Sequence, residues 1–199
     1  TPSHFLSNPQ HKIVGLNIAY VPLGSYYKLP LLTSPDYIDH QYILDGLLTV
    51  FSIRLSNQFP DASRRDEYRS VLVGSMGAGG KGYFALDVTE PGTPTGTSGF
   101  TQSAANAQKI VMWDRTGYWF GTEDPDAGHS YSRPQVSDVF CPAVVDEVGA
   151  CVAGERTSAL IVGNGYNSTN ERAVLYIINV ENGKVIKKIY TDLTIGGSN

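Results

Sequence analysis

Two stretches of the chain share one pattern. Residues 70–89 read SVLVGSMGAGGKGYFALDVT, and residues 158–181 read SALIVGNGYNSTNERAVLYIINVE. Each is a short apolar run, a connection of glycine and small polar residues, and a second apolar run. Runs this short, rich in Val, Ile, Leu and Tyr and bounded by glycine, are too brief for helices and read as buried strands. From Ser70 to Ser158 the offset is 88 positions. With the long insertions at 90–108 and 146–156 set aside, each unit approaches the roughly 40–50 residues of a four-stranded propeller blade. The strands of one unit fall at 42–54, 69–75, 82–88 and 109–113, and those of the other at 134–145, 159–163, 173–180 and 184–190. Residues 16–21 then supply the last strand of a preceding blade. The pattern predicts an all-β fold, a β-propeller segment of about two blades plus part of another. Its blades span 42–113 and 134–190, and residues 1–41 form the end of the preceding blade and a connection.

The side-chain pattern supports this order. VLV, ALIV and AVLYII are continuously apolar, as strands covered on both faces must be. KVIKKIY at 184–190 interleaves lysine with apolar residues, as an outer edge does. A β-sandwich of equal strand count has the same alternation, and the internal repeat favours the propeller. Residues 1–17 read as an irregular loop. Leu23, Tyr26, Tyr27 and Leu29 suggest one helical turn, with Pro30 and Pro35 preventing more. EPGTPTGTSGFTQSAANAQ at 90–108 reads as a surface loop too polar to pack, and no amphipathic helix is expected.

Of 199 residues, 41% are hydrophobic, and the net charge is −4 with only paired basic residues such as Arg64-Arg65 and Lys187-Lys188. A nucleic-acid partner needs a basic face, so none is expected. No apolar run reaches the roughly 20 residues that span a bilayer as a helix. The chain opens at Thr1 and reads as a mature or excised piece.

No residue is assigned to catalysis or to a metal. GSMGAGGKG at 74–82 resembles a phosphate loop only in glycine content. A dinucleotide loop leads into a helix, and here GYFALDV, a strand, follows. A P-loop needs glycine and then Ser or Thr where Ser75 and Gly82 stand. The glycines therefore read as a bend with positive φ angles. There is no G-x-S-x-G elbow, and His4, His11, His40 and His129 make no metal-ligand pair. Asp45, Asp87 and Asp146 sit at strand ends, where a carboxylate accepts backbone N–H groups in a turn. Asp124 and Asp126 lie in EDPDAGH, which lacks the alternating acidic ligands of an EF-hand-like loop. Asn167-Ser168-Thr169 is a glycosylation sequon for which a turn role suffices. Cys141 and Cys151, with nine residues between them, are either two buried thiols or a disulfide closing a short loop. Tyr118, Trp119 and Phe120 are either partner-binding loop aromatics or plugs between blades.

ALDVTEPG at 85–92, with Trp113 beyond the insertion, resembles the blade motif of quinoprotein-dehydrogenase-like propellers. INVENGKVIKK at 178–188 resembles a second copy, with Lys187 where that motif usually carries tryptophan. The ordered series YILDGLLTV, VLVGSMGAGGKGYFALDVT, AGHSYSRPQV and VGNGYNSTNERAVLYIINVENG is similar to the C-terminal propeller of the PilC/PilY family, adhesins associated with the tip of the type IV pilus. The resemblance implies a non-enzymatic, extracellular component of a bacterial pilus machinery. It would act in pilus biogenesis at the tip and in attachment to host cells or surfaces, with minor pilins as partners. It places the family's calcium loop downstream of Asn199, leaving no cofactor within this chain. An exported setting favours the Cys141–Cys151 disulfide, in what resembles a lineage-specific insertion. The shared blade motif leaves a quinoprotein-like oxidoreductase as the alternative from another class, and a purely structural propeller scaffold as the other.

Overall fold

A computed structural model describes residues 19–33, 41–89, 104–116 and 124–191. They form two four-stranded antiparallel sheets. The first is ordered β1 (Leu48–Arg54), β2 (Tyr68–Ser75), β3 (Gly82–Asp87), β4 (Val111–Thr116). The second is β5 (Gln135–Phe140), β6 (Arg156–Gly163), β7 (Val174–Asn179), β8 (Val185–Tyr190). Both are simple meanders, each strand pairing with its sequence neighbour.

The repeat extends to backbone irregularities. In the first sheet Ala85 pairs with Trp113 and Leu86 with Val111, so Met112 is bulged out. In the second Ile177 pairs with Lys187 and Ile178 with Val185, and Ile186 is bulged out. Gly77 and Gly165, 88 positions apart, both adopt left-handed φ, +56° and +75°. Asp87 and Asn179 end equivalent strands, and each accepts a backbone N–H two residues on, from Thr89 at 3.0 Å and Glu181 at 2.7 Å.

Register decides how the sheets stack. Val71 pairs with Asp87 and Ala159 with Asn179, so Ala159 is the counterpart of Val71, Ile177 of Ala85, and Ile178 of Leu86. The first sheet turns Val71, Val73, Ala85 and Trp113 toward the second, which answers with Leu160, Tyr176 and Ile178 in one shared core. The counterparts of those answering residues, Leu72, Phe84 and Leu86, lie on the far side of the first sheet, packed with Tyr20 and Ile110. Ala159 and Ile177 face away on the second sheet, with Ala150 and Ile186. Two sheets that bury like faces are finished, as in a sandwich. Here unlike faces meet, so the far face of each sheet is not spent on the other sheet and carries Tyr20 and Ile110 on one side and the 141–151 loop on the other, the face-to-back order of propeller stacking. Burial drives it: each fully covered Val, Leu or Ile side chain contributes about 1.5–3 kcal/mol.

Several boundaries differ from expectation. β1 starts at Leu48, because the Leu47 N–H donates to the Ser75 hydroxyl (2.9 Å) instead of to a backbone carbonyl of β2. Residues 19–21 form no strand; the Tyr20 hydroxyl instead donates to Asp114. The single turn expected after Leu23 is an 11-residue 3-10 helix, Leu23–Thr33, running through Pro30. External anchors hold it: the Leu23 and Gly24 N–H groups donate to side chains of Asp114 (2.8 Å) and Thr116 (2.9 Å). The end of the insertion read as a loop is helix α1, Ala104–Ile110, built of good helix formers, so β4 begins two residues later than expected. β5 ends at Phe140, since residue 141 onward turns into the loop that carries both cysteines.

Candidate functional site

The two glycine bends and the segment 127–132 meet at one rim. Ser130 holds them together. Its Oγ accepts from the Met76 N–H (2.9 Å) and donates to the Gly82 carbonyl (2.7 Å). Its backbone N–H donates to Gly80 O, and its carbonyl accepts from the Gly77 N–H, both at 3.3 Å. On the other side the Gly128 and His129 N–H groups donate to the carbonyls of Asn164 and Tyr166, each at 2.8 Å. Glycine is required at 165, where a Cβ would lie 1.7 Å from the His129 carbonyl oxygen and φ is +75°. Lys28 closes the rim by donating to the carbonyls of Tyr42 (2.8 Å) and Gly79 (2.6 Å).

These bonds leave no phosphate cradle in the 74–82 bend. A cradle needs free N–H groups, and those of Gly77, Gly79 and Gly80 already donate to Ser130, Met76 and Gly77 carbonyls. The rim instead presents aromatic rings on a locked backbone. His129 stacks on Tyr166 with centroids 5.0 Å apart, and Tyr131 on Tyr166 at 5.5 Å. Tyr42, Tyr131 and Tyr166 are exposed, and His129 is half-buried. Burial holds the His129 imidazole below its ordinary pKa. The Lys81 and Lys28 charges push the same way, and the Gly77 backbone opposes them. The ring is thus held toward its neutral form.

Asp124 and Asp126 are satisfied by the protein's own cation. Lys188 Nζ lies 2.6 Å from Asp124 and 3.3 Å from Asp126, while Arg172 and Asn170 reach Asp126 at 3.1 and 2.6 Å. Burial opposes ionisation of Asp126, but Asn170 and Lys188 hold its carboxyl below the usual range. This network ties segment 124–132 to the outer strand β8 and to the connection between β6 and β7. Asp87 accepts from Arg64, Arg69 and the Thr89 N–H, and Asn167 adopts a turn φ of +62°. His4, His11, His40 and the aromatics Tyr118, Trp119 and Phe120 lie outside the described residues.

Between the sheets runs a groove of about 540 Å³ near Ser52, Arg54, Ser56, Asp138, Arg156 and Glu181. Five of its charged side chains are engaged: Arg54 with Asp66 and Arg156 with Asp138, each at 3.5 Å, and Glu181 with the Ser56 N–H and hydroxyl at 2.6 and 2.7 Å. The seam is further locked by Trp113, whose Nε1 donates to Val180 O at 2.7 Å. Arg115 reaches across to Glu147 at 2.7 and 2.8 Å and to Gly183 O at 2.7 Å. Cys141 and Cys151 are joined, with Cα atoms 5.9 Å apart. Sequence reasoning did not single out His129, Tyr131 and Tyr166 as neighbours, nor Arg115 with Glu147. The one available signal was the placement of AGHSYS between the two repeats.

Residues 24–199 match the family model described as the PilY1 beta-propeller domain. The chain is 38% identical over 171 residues to a type IV pilus biogenesis factor PilY1 homolog of Xylella fastidiosa, covering 86% of this chain and 9% of the relative. It is 28% identical over 198 residues to the type IV pilus biogenesis factor PilY1 of Pseudomonas aeruginosa strain UCBPP-PA14, covering 95% and 14%. It thus spans only a small part of the length of these relatives. A crystal structure of the Pseudomonas aeruginosa PilY1 C-terminal domain superposes with a TM-score of 0.57 at 24% identity, covering 92% of this chain and 28% of that one, a likeness of fold.

Proposed function

Since this chain belongs to the PilY1 β-propeller family, whose model covers residues 24–199, we propose that it is a binding segment of a type IV pilus biogenesis factor. It works without bond chemistry, at the extracellular pilus tip, where it contacts minor pilins and attaches to host cells or surfaces. The relatives named as pilus biogenesis factors support the pilus setting. The observation that carries the binding mode is the rim at the two glycine bends. Its backbone groups are consumed by internal bonds, so it offers rigid, exposed Tyr42, Tyr131 and Tyr166 rather than reactive groups. Tyrosine gives a large amphipathic contact at small entropic cost, and loops on a rigid β scaffold are where binding residues concentrate.

The test is a cell lacking the protein, complemented with the wild type or with Tyr131→Ala/Tyr166→Ala. The double variant is expected to restore piliation while attachment falls about tenfold, the loss of one interface hot spot. Equal attachment by the two forms would leave only the scaffold reading. A quinone chromophore in the purified protein together with dye-linked dehydrogenase turnover would overturn the proposal in favour of an oxidoreductase.

A further inference from the structure

The outer edge of β8 is occupied by a segment that is not a strand of either sheet. Val145, Asp146 and Glu147, in the loop between β5 and β6, lie along it. The Glu147 and Asp146 N–H groups donate to the carbonyls of Val185 and Ile186, both at 3.0 Å. Their carboxylates accept in return: Glu147 from the Val185 N–H at 2.9 Å, and Asp146 from the Lys188 N–H at 2.7 Å. Four backbone groups that β8 turns away from β7 are thereby satisfied. Lys187 adds an ammonium 2.8 Å from Asp146, and Arg115 of the first sheet adds two bonds to Glu147. Val145 packs with Ile186 and Ala159 beneath the loop. The equivalent outer strand β4 is covered differently, through side chains of Asp114 and Thr116 rather than along its backbone.

An open strand edge accepts an extended peptide through main-chain bonds, and flanking side chains choose the sequence. We infer that the outer edge of β8 is a binding site for an extended acidic segment of a partner polypeptide, kept filled by the chain's own Val145-Asp146-Glu147 while the Cys141–Cys151 bond is closed. The built-in occupant specifies the partner: an apolar residue over Ile186, then two carboxylates opposite Lys187 and Arg115. A segment bearing positive charge there meets both cations.

The closed ring of residues 141–151 keeps the built-in occupant at high effective concentration. Val144 and Val148, on either side of it, are 72% and 93% exposed, while the end of the loop beyond them is held by Lys184 on the Val148 carbonyl (2.9 Å) and by Asn179 and Asn182 on the Ala150 carbonyl (2.7 and 3.2 Å). Cys141 is buried and Cys151 half-buried, so an external dithiol attacks at Cys151. The incoming thiolate forms a bond to the Cys151 sulfur, and the Cys141–Cys151 bond breaks with its electron pair on the Cys141 sulfur, which takes a proton. The second thiol of the dithiol then displaces Cys151. Two electrons pass to the protein, leaving two cysteine thiols and an oxidised dithiol.

The test compares the 199-residue protein oxidised, reduced with dithiothreitol, and as Cys141→Ser/Cys151→Ser. The probes are the linear peptide PAVVDEVGA, the loop's own 142–150 sequence, and its neutral counterpart PAVVNQVGA. Amide hydrogen exchange is followed at Val185 and Lys188, with Leu160 and Val162 of β6 as the reference. Reduction is expected to speed exchange at Val185 and Lys188 about tenfold or more while the β6 amides stay protected. The acidic peptide is expected to restore protection in the reduced and Ser forms, to leave the oxidised form unaffected, and to bind at least about tenfold tighter than the neutral one. Unchanged exchange at Val185 and Lys188 after reduction would overturn the inference. So would loss of protection in β6 at the same time, which makes the loop a piece of the fold. Equal binding of the two peptides, or dimerisation of the reduced protein without peptide in sedimentation, would overturn the acidic-partner assignment.

Discussion

Replacing Trp113 by alanine, alone and with Gly183→Ala, isolates the lock between the two sheets. The indole is 8% exposed and its Nε1 donates to Val180 O at 2.7 Å. A Trp→Ala change in such a site costs about 3–5 kcal/mol, the transfer and cavity terms together. Gly183 sits against the ring: a Cβ there would lie 2.6–2.8 Å from three indole carbons, and its φ is +70°. Alanine at 183 therefore meets two penalties, about 1–2 kcal/mol for the left-handed conformation and about 1–3 kcal/mol for overpacking against a ring that the core holds in place. Only the overpacking penalty depends on Trp113. In the Trp113→Ala background it vanishes, so the double variant should be more stable than the sum of the single costs implies, by about 1–3 kcal/mol. Urea unfolding followed by far-ultraviolet circular dichroism, read from midpoints at constant slope, measures all four corners of the cycle. Single costs that add within about 0.5 kcal/mol, or a Trp113→Ala cost below about 1 kcal/mol, would refute the lock.

Three further outcomes are expected. Glu147→Gln should lower stability by about 1 kcal/mol, a charge-assisted pair discounted for partial exposure. Burial opposes ionisation of Glu147, but Arg115 and the Val185 N–H hold its carboxyl below the ordinary 4.5. Its stabilisation is then full above pH 4.5 and lost as pH falls through the lower folded value, so wild type and variant should converge in acid-unfolding curves. Gly165→Ala should cost about 2 kcal/mol or more, since a Cβ meets the His129 carbonyl, and should perturb the His129, Tyr131 and Tyr166 ring signals in NMR spectra; unchanged signals would contradict the interlocked rim. Lys188→Met leaves Asp124 and Asp126 without their shared cation. The variant's thermal midpoint, depressed at pH 7, should approach that of wild type as acid protonates Asp126, whose carboxyl Lys188 helps hold below the usual range; a constant gap would contradict that account.

The exposed residues at the ends of the stack have a common origin in the way the sheets meet. Leu48 and Val50 on β1, and Leu175 and Ile189 on the second sheet, are exposed though apolar. Leu175 and Ile189 pair directly across the β7–β8 ladder, and Val50 pairs with Leu72 on the far face of the first sheet. A stack that joins unlike faces exposes such residues at both ends wherever it stops.

Strand order, the repeat and the bend were legible in the amino-acid order because they rest on local chemistry. Short β-branched runs make strands, Gly77 and Gly165 supply left-handed φ where the chain must turn, and interleaved lysines mark an outer strand. Helix boundaries were less so. The 3-10 helix Leu23–Thr33 is set by bonds to Asp114 and Thr116 about ninety residues away, and no local pattern reports them. The site depended on tertiary structure altogether. Trp113 meets Gly183, Arg115 meets Glu147, and His129 threads between two bends only after the sheets stack. Such contacts depend on register and on which face of each sheet is buried, and one residue of slip would invert every side chain. Folding also changed the standing of the disulfide loop. In the sequence it is an insertion with two cysteines; in the structure its Asp146 and Glu147 complete the edge of β8, because β8 leaves backbone groups that some chain must satisfy.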